Sequence, residues 1–395
     1  MTAARPFRIL FAASEVIGFA KTGGLADVIG ALPRALARRG HQTAVVMPLY
    51  AAVRHGPHAI RPTDVHFFIP LGQRSLPGRL WRGALPDSEV PIYFVEQPDL
   101  FERDDPAAGR GIYNFTRPDG QRQDYPDNAE RFIFFTRAIL EGLPGVEFWP
   151  EILHCNDWQT ALLPVYLREL YGRQSRLHAQ RYAALRTLLT IHNIAYQGIF
   201  AADAMMYTGL QQRLFNHRQL EYYGNLNFLK AGCVFADALS TVSPRYAEEV
   251  QTMVFGYGLE GVLSERKTAL SGIVNGVDYA DWDPARDKHL PVQYDSETVF
   301  DRKPACKLAL QARFNLPQRP EVPVLAMVAR LAEQKGVELL LHSSQELLTH
   351  DVQIVVLGEG DPAYHRPLTE IHVRQPEKTG LMIGFDESLA HLIEA

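Results

Sequence analysis

Short apolar runs alternate with amphipathic stretches along most of this chain. The first run, Phe7-Arg8-Ile9-Leu10-Phe11-Ala12-Ala13, has the continuity of a strand buried on both faces. Apolar positions then recur at helical spacing from Leu25 to Arg39, and Gly40 stops the pattern. Gln42 to Met47 predicts a second buried strand closed by Pro48, and Val65–Ile69 and Pro91–Val95 predict more strands in a β-rich stretch over 60–95. Proline and glycine mark 104–126 as a long loop. Asn128 to Glu141 predicts a helix with one apolar face, and Glu151–Cys155 a strand running into a helix from about Trp158. Leu185 to Ile191 predicts a buried strand ending at His192-Asn193. Leu239–Val242 predicts another, and Ser243-Pro244 then opens a helix with proline at its first position. This alternation predicts an α/β fold with parallel sheets.

A second series begins after Asn275-Gly276-Val277-Asp278, and the polar, proline-punctuated stretch 281–304 reads as a domain edge. Val322–Ala329, Val352–Leu357 and Gly380–Ile383 predict strands, with a helix over Glu338–Leu348. A length of 395 residues fits two domains, placed at 1–271 and 272–395. A doubly wound domain uses about five or six strands, and the second series shows fewer. Its last helical pattern, Leu389, Leu392 and Ile393, runs to Ala395 without a stop signal, so the C-terminal domain reads as incomplete.

Composition narrows the function classes. Apolar residues make up 46% and the formal charge is −5. Large cores can form, while a weakly acidic chain is a poor general binder of nucleic acid or of membrane surfaces. Cys155, Cys233 and Cys306 lie far apart without metal-ligand spacing, which predicts a reducing, cytoplasmic setting. No apolar run is long enough to span a membrane, and the N-terminal run is too short for a signal peptide.

Candidate chemistry clusters where strands end. Lys21-Thr22-Gly23-Gly24-Leu25-Ala26-Asp27 lies between a strand and a helix start. Unpaired N–H groups, the helix dipole and a lysine together make an anion site, and simple turn chemistry is the alternative. Arg330-Leu331-Ala332-Glu333-Gln334-Lys335-Gly336 also follows a strand, where a guanidinium and an ammonium can clamp a diphosphate; a solvated basic turn is the alternative. His192 ends a buried strand. Asp157-Trp158 pairs a carboxylate with a ring that, if exposed, suits a sugar; Asp157 as a helix N-cap is the plainer reading. Asn275-Gly276 is compatible with a turn. Asp281-Trp282-Asp283 has the spacing of a metal motif but lies before a proline in a polar linker, which favours a surface turn.

Taken as strings, Lys21–Gly30 (K-T-G-G-L-A-D-V-I-G), H-C-N-D-W, H-N-I-A-Y-Q-G, N-G-V-D and R-L-A-E-Q-K-G resemble, in order, the signatures of bacterial glycogen synthases and plant starch synthases. These are retaining glucosyltransferases that use ADP-glucose. The resemblance spans residues 7 to 395. It implies the GT-B architecture, two Rossmann-like domains facing a cleft, and transfer of glucose to the 4-hydroxyl end of an α-1,4-glucan. It assigns His192, Arg330 and Lys335 to catalysis. Lys21, Gly23, Gly24, Asp27, Tyr113, Asp157, Trp158, Asn193 and Asn275 are assigned to substrate binding. Lys21, Arg330 and Lys335 can offset the diphosphate charge, so no metal or other cofactor is expected. The family's E-P-x-G-L segment, with its carboxylate, lies past Ala395, so little synthase activity is expected of these 395 residues alone. The alternatives are another retaining GT-B transferase and a non-catalytic glucan- or nucleotide-binding remnant.

Overall fold

The computed structural model describes residues 5–174 and 177–395. The chain forms two compact units, Met1–Gly276 and Val277–Ala395.

The first unit is built on a nine-stranded sheet. Arg8–Ala12 lies near its centre, paired in parallel with Gln42–Pro48 on one side (Arg8 opposite Gln42) and Ile152–Asn156 on the other (Ile9 opposite Ile152). Pro91–Glu96 extends the first side in parallel; Arg186–Ile191, Ala238–Thr241 and Leu270–Gly272 extend the second. A hairpin, Arg61–Leu71 with Arg74–Ala84, closes the first edge antiparallel. Its outer strand alternates exposed and buried residues and carries Pro62 and Pro70, which blunt an open edge. The chain builds outward from the first strand in one direction and then returns to build in the other. The strand order therefore reverses between Arg8–Ala12 and Ile152–Asn156, the place where open α/β sheets bind ligands at their carboxyl ends.

The helix Gly24–Arg38 follows the first strand and buries Leu25, Ala26, Ile29 and Pro33. Asn128–Gly142 is not the one-faced helix its pattern suggests. Nearly all of it is buried, including Arg131, whose Nε donates to the Leu100 carbonyl at 2.6 Å. The stretch after Asp157 winds first as a 3-10 turn, Trp158–Thr160, and reaches a π-helical turn at Leu167–Tyr171. The long loop over 104–126 holds a small hairpin, Asn114–Thr116 with Arg122–Asp124.

The second unit has a parallel three-stranded sheet, Val324–Val328, Gln353–Gly358 and Thr379–Ile383. Its central strand is buried throughout. Ile354 and Val356 meet Val337 and Leu368 of the helices Val337–Leu347 and Pro362–Arg374. Leu357 points the other way, to Leu310 and Leu389 of Val299–Arg313 and Glu387–Glu394, as a period of two demands. Periodicity missed the Val299–Arg313 helix because Pro304 and many polar residues mask it. Trp282 stacks on His391 at 3.8 Å, and His391 pairs with the buried Asp287 at 2.6 Å, which fastens the 281–295 stretch to the last helix. Asp283 is held by Arg286 at 2.9 Å, within the linker turn read from the sequence.

Candidate active site

The site of the first unit gathers at the carboxyl ends of its central strands. Asn156 ends one of them, fully buried. Its Nδ2 donates to the carbonyls of Ala12 (3.1 Å) and His154 (3.2 Å), which turns Oδ1 toward His192 Nε2 at 3.0 Å. Oδ1 can only accept, so His192 Nε2 carries the hydrogen and Nδ1 keeps a lone pair. Burial pulls the His192 pKa down to about 4, so the ring is neutral near pH 7. Such a ring can orient a sugar hydroxyl through Nδ1 but brings no positive charge.

Asp157 follows at φ 55°, ψ −174°, a region used almost only by glycine. The strain is held by its backbone N–H, which donates to the Thr190 carbonyl at 2.9 Å. Its side chain does not cap the following turn, which corrects the N-cap reading. Instead Oδ1 accepts the His192 N–H at 2.7 Å, and the Asn193 N–H also donates to this carboxyl. Burial raises the Asp157 pKa to about 7, against the lowering effect of those two N–H groups. Asn193 turns its own Oδ1 back onto the Ala195 N–H at 3.0 Å.

Trp158 is buried, which corrects its reading as an exposed sugar platform. Phe132, Phe200 and Phe228 surround it at 4.9–6.3 Å. A Cβ on Gly198, at φ 64°, would stand 2.4 Å from the indole. The ring therefore shapes the His192 segment from behind. His154 is likewise buried, Nε2 against Thr190 Oγ1 at 2.7 Å, and burial holds its pKa down at about 3. Burial pushes the adjacent Cys155 thiol well up, so no Cys–His nucleophile exists here.

The glycine turn has a support that sequence reasoning missed. Glu15 is buried, and its carboxylate accepts the N–H groups of Thr22 and Gly23 (3.1 Å for Gly23) and the Thr22 hydroxyl at 2.7 Å. Tyr113 Oη also donates to it at 2.7 Å and meets Ser14 Oγ at 2.6 Å. Tyr113 thus braces the turn from behind. A carboxylate just past a buried strand and just before a Gly-Gly turn was the signal available. Because Glu15 takes two donors, the turn offers an anion the later N–H groups, at Gly24 and Leu25. A Cβ at Gly23 or Gly24 would meet nothing within 4 Å, so the space beside both is open. Lys21 Nζ contacts Asp27 Oδ1 at 2.7 Å, half exposed.

Asn275 is exposed at the end of the first unit and joins none of these hydrogen bonds. In the second unit Arg330 and Lys335 are exposed after the first strand, and neither forms an ion pair among the described residues. Leu331 between them is buried; its N–H donates to Glu359 O at 3.0 Å and its carbonyl accepts from Asp361 N at 2.8 Å. A Cβ on Gly360 would stand 2.2 Å from that carbonyl, so glycine lets the two strand-end loops join.

The profile of the starch synthase catalytic domain matches residues 8–265. The glycogen synthase of Anaeromyxobacter sp. (strain Fw109-5) is 46% identical over 388 residues, 98% of this chain and 76% of the relative. This chain belongs to the glycogen and starch synthase family. The glycogen synthase of Syntrophotalea carbinolica is similar at 43% over 387 residues, with the same shares covered. Among solved structures, the catalytic domain of starch synthase IV from Arabidopsis thaliana, bound to ADP and acarbose, superposes with a TM-score of 0.84. It is 28% identical, and the match covers 98% of this chain and 76% of that one. The fold is GT-B, and the enzyme class of the family, a glucosyltransferase, is that of this chain. No helix among the described residues is long and apolar enough to cross a membrane.

Proposed function

We propose that this synthase binds ADP-glucose and extends an α-1,4-glucan at its 4-hydroxyl end with retention at the anomeric carbon, in the cytoplasm. The observation that carries the reading is the neutral His192 ring, fixed by Asn156, beside a strained Asp157 at the sheet's switch point. The relative of known structure was bound to ADP and acarbose.

The first unit handles the sugar. His192 Nδ1 accepts from a glucosyl hydroxyl and orients the ring. Asp157 holds the His192-Asn193 backbone in place, so its hydrogen bonds act through that segment. Lys21, with the Gly24 and Leu25 N–H groups, provides donors for phosphate oxygens. Taken by itself, the second unit presents Arg330 and Lys335, two exposed cations of a kind suited to a nucleotide's diphosphate. Their exposure leaves both free to turn onto a ligand. Transfer breaks the C1–O bond to the diphosphate and forms the C1–O4 bond, and the proton of the acceptor 4-hydroxyl passes to the departing diphosphate oxygen.

The test is a donor comparison. ADP-glucose is expected to bind more tightly than UDP- or GDP-glucose by calorimetry, and label transferred to maltohexaose by a version extended with the family's segment past Ala395 is expected in α-1,4 linkage. Preference for another base, or a β-linked product, would overturn the assignment.

A further inference from the structure

Two-residue hairpin turns with both central residues at positive φ favour Asn-Gly, Asp-Gly or Gly-Gly. This chain places tyrosine there. Strands Glu221–Tyr222 and Asn225–Asn227 pair with Tyr222 opposite Asn225, which leaves Tyr223-Gly224 as the turn, at φ 48° and 80°. A second pair, Tyr257-Gly258, takes φ 49° and 80°. A bulky residue in this region strains the backbone. Burial of the rings does not offset that cost: Tyr223 is 82% exposed and Tyr257 56%.

The two turns are fastened together and to the site. Tyr222 Oη donates to the Tyr257 carbonyl at 2.9 Å and lies where a Cβ on Gly258 would come within 2.1 Å. The Tyr222 ring meets Tyr223 edge-on at 4.8 Å. Gln197, at the far end of the His192 segment, donates from Nε2 to the same Tyr257 carbonyl at 3.0 Å. Tyr196 in that segment is exposed as well.

We infer that Tyr223 and Tyr257 form a platform for the α-1,4-glucan acceptor, holding glucose units away from the reacting end. The inference rests on the glucan-extending function proposed above. A pyranose offers an apolar C–H face and a rim of hydroxyls. An exposed tyrosine offers a flat apolar face and a phenol at its edge, with only two side-chain torsions to order. An acceptor polymer continues beyond the bond being made, and the Gln197 contact makes this platform continuous with the His192 segment. Strain kept at an exposed position, where glycine would relieve it, marks a ring retained for what it contacts.

The test uses the full chain, with glycogen and maltoheptaose as probes and dextran as the control. Tyr223→Gly, Tyr257→Gly and the double variant remove the rings and relieve the backbone. The double variant is expected to bind both α-1,4-glucans about tenfold more weakly, to keep its ADP-glucose affinity, and to melt at or above the temperature of the parent. Unchanged glucan affinity in the double variant overturns the platform. So does a lowered melting temperature, which would make the rings structural. Loss of self-association with glucan affinity intact overturns it in favour of a contact between copies. A parent that binds ADP-glucose but neither glucan also refutes it. A parent that binds neither donor nor glucan refutes the underlying function instead.

Discussion

Removing the Glu15 carboxylate should loosen the glycine turn and weaken donor binding together. Glu15 is 4% exposed and accepts four hydrogen bonds: two from the Thr22 and Gly23 N–H groups, one from the Thr22 hydroxyl and one from Tyr113 Oη. Hydrogen bonds to a charged group contribute about 1.5–3 kcal/mol each. Some of the orphaned donors regain water because the space beside Gly23 and Gly24 is open. Glu15→Ala is therefore expected to cost about 3–5 kcal/mol, less than the full sum. For a unit of this size that lowers the melting temperature by roughly 10 °C. Glu15→Gln is milder. Its Oε1 can face the two N–H groups while Nε2 faces the hydroxyls, which reverse to accept, so about 1 kcal/mol of charge assistance is lost. The Thr22-Gly23 backbone aims Lys21 and the Gly24 and Leu25 N–H groups. ADP-glucose affinity should therefore fall about tenfold in the alanine variant and less in the glutamine variant, with glucan affinity unchanged. Thermal unfolding and calorimetry with ADP-glucose and with maltoheptaose measure these quantities. An alanine variant with the stability and donor affinity of the parent would refute the role. A glutamine variant as damaged as alanine would assign the effect to charge alone and not to positioning.

Further outcomes are expected at neighbouring positions. Lys21→Ala and Lys21→Gln should each weaken ADP-glucose binding by about 1–3 kcal/mol; unchanged affinity in both would reduce the lysine to a partner of Asp27. In a version extended with the family's segment past Ala395, His192→Ala should lower turnover far more than donor affinity if its contact strengthens in the transition state. Turnover intact with weaker binding would make it a recognition residue only. His154 and His192 are buried neutral, with pKa values of about 3 and 4 against the usual 6.5, so each contributes stability that is fully present above pH 6.5 and is lost as pH falls toward those values. Asp157, raised to about 7, acts with the opposite sign over the same range, so the comparison with His154→Gln isolates the effect: urea titrations should show the parent's advantage over that variant shrinking by several kcal/mol between pH 7 and pH 4, and a constant difference would contradict the burial argument. Gly198→Ala, whose Cβ would stand 2.4 Å from Trp158 at φ 64°, should destabilise by about 2–4 kcal/mol in thermal melts and lower activity through the His192 segment; a neutral substitution would show that the segment yields freely.

Local pattern carried much of this protein. The strand at Arg186–Ile191, the helix at Gly24–Arg38 and the Ser243 cap, whose side chain accepts from Tyr246 N–H at 3.2 Å, follow from apolar spacing and turn chemistry within a few residues. The strand-end positions of the lysine-glycine turn, His192 and the Arg330–Lys335 segment were legible for the same reason. Tertiary structure decided what those residues do. Asp157 looked like a cap, yet its partner is an N–H 35 positions away, just past the end of the next strand. Trp158 looked like an open ring, yet three phenylalanines from separate elements cover it. Glu15 had no visible role until the loop 98 residues on brought Tyr113 onto it. Periodicity reports which side of an element meets a neighbouring layer. It does not report strand order, and at the carboxyl ends of a doubly wound sheet strand order decides which side chains share one space.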